Sequence, residues 1–327
     1  MTQPNAVNCR AHFTYCLLLL FFFSCTGNSR PEVRKDITPP LIGKNIPFID
    51  TLSGNHIIVE VLINKRPVRL LLDNGTHPDY SIILFKPSAA RIGIIDTLKS
   101  FRLETDRIDT TLFKVSISSF EDTMRRVQVQ DYHNLPASKL PDGILGFGFL
   151  KKFIVLVNYE QRYVQILDTA KFSAPGGYGE INFEPPFNGI FRNLKATFSM
   201  GGLKLAEPIN LDLGCARPGF SFSNFFYKKY KNVFQGASTG TQSKAATMVK
   251  GTTNLNILLD SVSLYGNLIT NLSSSVELTE GTHVKSIIFG SDVLRHLKKI
   301  YFHFGANKMY IPVAGLTQRQ GPVVGVQ

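Results

Sequence analysis

Short apolar runs separated by polar turns dominate this chain. Residues 56–63 form a β-rich run, and a turn at 64–67 separates them from a second apolar run at 68–72. Residues 110–117 and 254–259 also alternate or run apolar between polar turns, which is the pattern of strands. No long segment has a strong helical period, so the pattern predicts a mostly β chain. Short helices are predicted at 87–91, at 224–230 and directly after Gly290.

An apolar run that ends in Asp-x-Gly occurs twice. Residues 70–76 read LLLDNGT and residues 209–215 read INLDLGC, so Asp73 and Asp212 each follow a predicted strand at a sharp turn. About the length of one compact lobe separates them. Each copy is followed, at a similar distance, by a hydrophobic-Gly segment and a strand–turn–strand pattern. These segments contain Leu145 with Gly146, and Phe289 with Gly290. One Asp-x-Gly is a common turn, but two that are each followed by the same kinds of segment indicate an internal duplication.

With these motifs the chain resembles the pepsin and retropepsin superfamily of aspartic peptidases, in a bilobal bacterial form. The resemblance covers roughly residues 45–313 and implies an all-β fold of two similar acid-protease lobes with a cleft between them. It also implies an aspartic endopeptidase whose catalytic residues are Asp73 and Asp212. The hydrophobic-Gly segments, at 145–146 and 289–290, take the positions that thread past the active-site loops. The residues that would support these loops are Asn74, Gly75, Thr76, Leu213, Gly214 and Cys215.

The sequence departs from the family pattern at the residue after each aspartate, which is normally Thr or Ser. In the family, these paired hydroxyls form a hydrogen-bonded brace across the lobes. Asn74 can donate and accept a hydrogen bond there, whereas Leu213 cannot, so we expect at least half of the brace to be missing. The first-lobe flap is predicted as a hairpin at 101–117, which has no tyrosine. Its second-lobe counterpart is predicted to turn at 248–253.

Two carboxylates held close together cannot both stay ionised, so one pKa rises and the pair shares a proton. The ionised member then acts as general base on a water, while the protonated member polarises the peptide carbonyl. The resemblance further implies that Thr76 donates its hydroxyl to Asp73. This chemistry needs no cofactor and no metal, and a peptide or protein in the cleft is the expected substrate. Two alternatives stay open: an inert relative that binds peptides, and an unrelated β-rich lipoprotein whose Asp-x-Gly motifs mark ordinary turns.

The N-terminus predicts export. Arg10 precedes the apolar run 17–23, which is too short to span a membrane as a helix but suits the core of a signal peptide. A small residue directly before Cys25 resembles the bacterial lipoprotein cleavage site, at which this cysteine becomes the lipidated first residue. An ordinary secretory signal cut nearby is the alternative. We therefore expect a protein of the bacterial cell envelope that is anchored to a membrane by lipid, on either the periplasmic or the surface side.

These patterns also predict the domain organisation. We expect a signal peptide at 1–24, a polar tether at 25–44, an N-terminal lobe at 45–174, an inter-lobe linker at 175–192, a C-terminal lobe at 193–313 and a tail at 314–327.

Composition narrows the possible functions. Three of the four cysteines fall at or before Cys25, so Cys215 alone remains in the folded part, which excludes an intramolecular disulfide or a cysteine-based zinc site there. The formal net charge is +12, but the basic residues are spread along the chain, so we do not expect nucleic-acid binding. Both Asp-x-Gly motifs lie on one chain, which favours a monomer over a dimer of single lobes.

Overall fold

A computed structural model describes most of the chain after residue 44. The described residues are 45–49, 56–63, 66–93, 106–108, 113–117, 120–124, 127–130, 141–187, 189–215, 217–246, 251–279 and 285–313. All of them belong to a single unit of the chain. The predicted signal peptide, tether and tail, and Cys25 with them, lie outside the described residues.

Strands make up most of both halves, as the apolar pattern predicts. The first half contains β1 (Ile46–Ile49), β2 (Ile58–Ile63), β3 (Arg66–Leu72), β4 (Ile82–Phe85), β5 (Asp106–Ile108), β6 (Phe113–Ile117), β7 (Phe120–Met124), β8 (Val127–Gln130), β9 (Gly143–Leu145), β10 (Ile154–Asn158) and β11 (Tyr163–Leu167). The second half contains β12 (Tyr178–Asn182), β13 (Glu184–Phe187), β14 (Ile190–Met200), β15 (Leu203–Leu211), β16 (Phe220–Phe222), β17 (Ser238–Ala246), β18 (Gly251–Leu264), β19 (Asn267–Glu277), β20 (Ile287–Phe289), β21 (Lys299–His303) and β22 (Lys308–Pro312).

The helices are short. They are α1 (Lys86–Arg91), α2 (Phe147–Leu150), α3 (Asn224–Lys229), α4 (Lys231–Gly236) and α5 (Ser291–Leu294), with 3-10 turns at Thr169–Lys171, Arg295–Leu297 and Phe304–Ala306. Helices α1, α3 and α5 lie at the three places where the sequence predicts helices. Pro87 occupies the first turn of α1, where its missing N–H is not needed.

In the first lobe, a strand from later in the chain separates two consecutive strands. β3 buries alternate residues and ends at Leu72. It pairs in parallel with β9, while β9 pairs antiparallel with β4, and β4 pairs in parallel with β8. Because β9 lies between β3 and β4, the connection from one to the other has to cross the end of β9. Asp73 begins this connection.

The second lobe repeats this arrangement with different residues. β15 pairs in parallel with β20, β20 pairs antiparallel with β16, and β16 pairs in parallel with β19. Asp212 directly follows β15, as Asp73 directly follows β3. The strand topology therefore contains the duplication that the repeated motif predicts, and the predicted all-β fold of two similar lobes is confirmed.

A shared sheet and a shared core join the two halves. β10 of the first half pairs with β21 of the second, antiparallel, from Ile154 opposite His303 to Asn158 opposite Lys299. Phe191 is fully buried, and its ring centroid lies 5.6 Å from that of Phe147 and 5.3 Å from that of Phe304. Burying one such ring contributes about 1.5–3 kcal/mol. A continuous core therefore sets the orientation of the two aspartate loops.

Two predicted segments contain strands whose pairing was not predicted. The segment 175–192, predicted as an inter-lobe linker, contains β12, β13 and the start of β14. The first-lobe hairpin predicted at 101–117 is wrong for the described pairs, because β5 pairs with β8 whereas β6 pairs with β2 and β7. Only two residues separate β6 from β7, and such a short connection makes hairpin closure cheap in entropy. In the second lobe β17 and β18 form a hairpin, and its connection, 247–250, lies outside the described residues.

Candidate active site

The two aspartates are placed by equivalent backbone contacts. The N–H of Asp73 donates to the carbonyl of Leu145 at 3.1 Å, and the N–H of Asp212 donates to the carbonyl of Phe289 at 3.0 Å. The hydrophobic-Gly segments predicted from the sequence therefore lie directly beside the two loops. Each aspartate leaves its strand at the point where the neighbouring strand, β9 or β20, also ends.

Within each loop the carboxylate accepts from the glycine two residues later. The N–H of Gly75 donates to Asp73 Oδ1 at 2.6 Å, and the N–H of Gly214 donates to Asp212 Oδ1 at 3.0 Å. A Cβ atom built on Gly75 would lie 3.0 Å from Oδ1 of both aspartates, and one built on Gly214 would lie 2.4 Å from Asp73 Cγ. The loops thus meet with their carboxylates together, and only glycine leaves room at Gly214.

Burial and mutual proximity set the charge of this pair. Burial raises the pKa of Asp212 well above its ordinary value, and the charge of Asp73 raises it further. Burial also raises the pKa of Asp73, while the Gly75 N–H, a hydrogen bond with Asp212 and the Gly214 N–H oppose that rise. Burial and the charge of the neighbouring carboxylate therefore both oppose the ionisation of the two carboxyl groups at the same time.

Asn74 connects the first loop to the second lobe by three buried hydrogen bonds. Its Nδ2 donates to the carbonyls of Leu211 at 3.0 Å and Gly189 at 2.9 Å, and its Oδ1 accepts from the N–H of Leu213 at 2.7 Å. Asn74 and Leu213 are both fully buried. The side chain of Leu213 is apolar and contributes no hydrogen bond, as the sequence predicts. The bonds of the brace described here are thus made by the side chain of Asn74.

The last residue of each motif packs against a glycine. The Thr76 hydroxyl accepts from the N–H of Phe147 at 2.7 Å, and a Cβ atom on Gly146 would lie 2.5 Å from Thr76 Oγ1. A Cβ atom on Gly290 would lie 2.7 Å from the carbonyl oxygen of Cys215. These two contacts explain why each hydrophobic segment contains glycine at this point. A hydrogen bond from Thr76 to Asp73 stays a prediction.

Solved structures supply a comparison for this arrangement. No known protein family and no curated protein matches the sequence. The aspartic proteinase from Irpex lacteus superposes with a TM-score of 0.51 at 10% identity, covering 86% of this chain and 100% of that one. The chain has the fold of the pepsin-like aspartic proteases. A retropepsin-like aspartic protease from Rickettsia conorii also matches, with a TM-score of 0.30 at 16% identity, over 43% of this chain and 95% of that one.

Gly189 contacts the first aspartate loop, and the sequence did not predict this contact. Gly189 lies in the turn before β14 at φ +81°, and a Cβ atom on it would lie 1.8 Å from the carbonyl oxygen of Asn74. The turn of the second half therefore packs directly against the loop that contains Asp73 and Asn74. The dipeptide at 188–189, Asn-Gly, is a strong turn signal. It gave no indication of which loop the turn contacts.

Two kinds of feature are absent from the described residues. Among them, no cluster of three or more His, Cys, Asp or Glu side chains is arranged to hold a metal ion. In the same residues, no helix is long and apolar enough to cross a membrane.

Proposed function

We propose that this protein is an aspartic endopeptidase that hydrolyses peptide bonds with water activated by Asp73 and Asp212. The observation that supports this most is a hydrogen-bonded pair of carboxyl groups, one from the equivalent loop of each lobe, of which Asp73 is buried and Asp212 half-buried. Ordinary turn aspartates point to water and do not share a proton. Such a shared proton gives the pair an acid and a base at the same point.

In this mechanism the ionised carboxylate takes a proton from a water molecule as the water oxygen attacks the peptide carbonyl carbon. The protonated carboxyl group donates its proton to the carbonyl oxygen, which gives a neutral tetrahedral diol. The C–N bond then breaks as the carboxyl group that took the water proton donates it to the leaving nitrogen. The other carboxylate takes a proton from a diol hydroxyl, which releases the product carboxylic acid and leaves the dyad again singly protonated. Because the two groups titrate together, the initial proton belongs to the pair, not to Asp73 or Asp212 alone.

The test uses residues 30–327 and a mixed peptide library from about pH 3 to 8, the range in which such a dyad titrates. Asp73→Asn and Asp212→Asn run alongside, with and without a statine-type inhibitor. We expect cleavage by the unchanged protein, inhibition by the statine compound, and loss of at least about 10³-fold in each variant. Cleavage that survives either substitution would exclude the dyad as its source.

Leu213 favours one other function. Where the fold normally has a hydroxyl, this side chain is apolar and fully buried, so the second loop contributes no side-chain hydrogen bond to the brace. A catalytically inert relative that binds peptides in the cleft is therefore the second candidate. A folded protein that binds the inhibitor but cleaves no peptide at any pH would support it.

For location, we propose a lipid-anchored protein of the bacterial cell envelope, with Cys25 as the lipidated residue and the membrane as a second partner. The support is the sequence around Cys25. Mass spectrometry of the mature N-terminus tests it: we expect a diacylated or triacylated cysteine, and a soluble exported form in Cys25→Ala. An unmodified N-terminus at another residue would indicate an ordinary secretory signal. The mature protein is expected to be a monomer.

A further inference from the structure

Arg217 lies in the turn that connects the second active-site loop to β16. It follows Asp212 by a few residues, and its side chain is partly exposed. Nothing in the sequence distinguishes it, because a single arginine in a turn is usually a solvated surface residue. Its contacts in the structure are not those of a freely solvated side chain.

Hydroxyl groups hold the guanidinium of Arg217 on one side. It donates to Ser221 Oγ on β16 and, at 3.2 Å, to Thr252 Oγ1 near the start of β18. Asn254 Nδ2 donates to the same Thr252 oxygen at 3.4 Å. Ser221 and Asn254 are buried, so the two hydroxyls that accept from the guanidinium are themselves held in place and fix its direction. Because Thr252 belongs to the β17–β18 hairpin, Arg217 connects the second active-site loop to that hairpin.

The charge of Arg217 has no counter-ion in the described part of the chain. There, its side-chain hydrogen bonds go to the hydroxyls of Ser221 and Thr252. The carboxylate of Asp292 reaches the same turn, but it accepts from the Gly219 N–H at 2.7 Å and pairs with Arg295 at 3.5 Å. A guanidinium has five N–H donors, so several are left for another acceptor. A partly buried cation without a partner gains most from an anionic ligand.

Arg217 and the dyad also act on the same group. Burial and the charge of Asp212 raise the pKa of the Cys215 thiol to about 11, while the N–H and the charge of Arg217 oppose that rise. Cys215 lies between the two in sequence. The guanidinium is therefore within electrostatic reach of the loop where the peptide bond would be hydrolysed.

We propose that Arg217 is a specificity-determining residue that binds an acidic side chain of the peptide substrate close to the scissile bond. The proposal rests on the proposed peptidase function. A glutamate or aspartate supplies the missing counter-charge, and the planar guanidinium matches a carboxylate with two parallel N–H···O bonds. Neutral hydroxyl partners orient the fork without neutralising it, which leaves its charge available to the substrate.

The experiment compares peptides that differ only by Glu or Gln, placed in turn at each position on both sides of the cleaved bond. The assay runs above about pH 5, where a free glutamate is ionised. At one position or more, we expect the unchanged protein to prefer Glu by about 10–100-fold in kcat/KM, the range of a charge-assisted hydrogen bond. In Arg217→Gln the ratio should fall to about 1, and in Arg217→Glu a Lys peptide should become the preferred one.

Lys204→Gln is the matched control, because it removes the same charge from an exposed position on the same lobe; the preference should persist there. Equal cleavage of Glu and Gln peptides at every position, or a ratio that survives Arg217→Gln, would overturn the inference while the peptidase function stands. If nothing is cleaved, the proposed function fails instead. Calorimetric binding of the same peptides then decides: a Glu preference lost in Arg217→Gln supports acidic recognition, and equal affinities refute it.

Discussion

Replacing Asn74 by alanine removes the side-chain brace between the lobes. Three buried hydrogen bonds disappear, those to Leu211 O, Gly189 O and Leu213 N. A typical hydrogen bond contributes about 0.5–1.5 kcal/mol net, and a buried polar group left without a partner costs about 1–3 kcal/mol. The two carbonyl oxygens each lose the donor Asn74 Nδ2, and the Leu213 N–H loses its acceptor, Asn74 Oδ1. We therefore expect Asn74→Ala to lower the free energy of unfolding by about 3 kcal/mol.

Urea unfolding measures this loss, with the m value as a check that the transition stays comparable. For a folded part of this size the same loss lowers Tm by roughly 6–12 °C. Peptide cleavage should also become slower, because the brace holds the two loops in register. We expect kcat/KM to fall by about 10²-fold. Asn74→Thr retains one donor and one acceptor, so its loss of stability should be intermediate.

Asn256→Ala is the matched control for this substitution. Asn256 also uses both ends of its amide, since it accepts from Ser243 Oγ at 2.9 Å and donates to Thr241 Oγ1 at 3.0 Å, but on an exposed surface. Water replaces those partners, so its loss should stay below about 1 kcal/mol. If Asn74→Ala costs no more than Asn256→Ala, the brace does not stabilise the lobes and the reasoning is refuted.

Two further predictions concern the same loops. Gly189→Ala should destabilise the fold by more than about 3 kcal/mol, because its Cβ would overlap the Asn74 carbonyl; Gly266→Ala, also at φ +81° but with nothing within 4 Å, should cost about 1 kcal/mol in the same unfolding assay. Because the folded-state pKa of Asp212 is raised, the dyad stabilises the fold most below about pH 4, and that contribution is lost as pH rises through the raised pKa. Asp212→Asn should therefore unfold at higher urea than the unchanged protein at neutral pH, with a difference that shrinks toward pH 4; a pH-independent difference would contradict the shared proton.

Local signals made the fold and the positions of the two aspartates predictable. An apolar run that stops at Asp-x-Gly needs only a few residues to be recognised, and so does a hydrophobic segment that ends in glycine. The structure places Asp73 beside Leu145 and Asp212 beside Phe289, in agreement with that expectation. The predicted hairpin at 101–117 is wrong for the described pairs, because β5 pairs with the more distant β8, while β6 pairs with β2 and forms its local hairpin with β7.

The brace shows which contacts near the two aspartates could be predicted from the sequence and which could not. Leu213 has no polar side-chain atom, so the loss of its contribution could be predicted from its identity alone. The contact between Asn74 and Gly189 could not, because 115 residues separate them and only the packing of the lobes brings them together. A hydroxyl has one proton to donate and cannot serve both Leu211 O and Gly189 O, whereas an amide has two. Asparagine at this position therefore makes one bond more than a hydroxyl could, beside an apolar residue at 213 that makes none with its side chain.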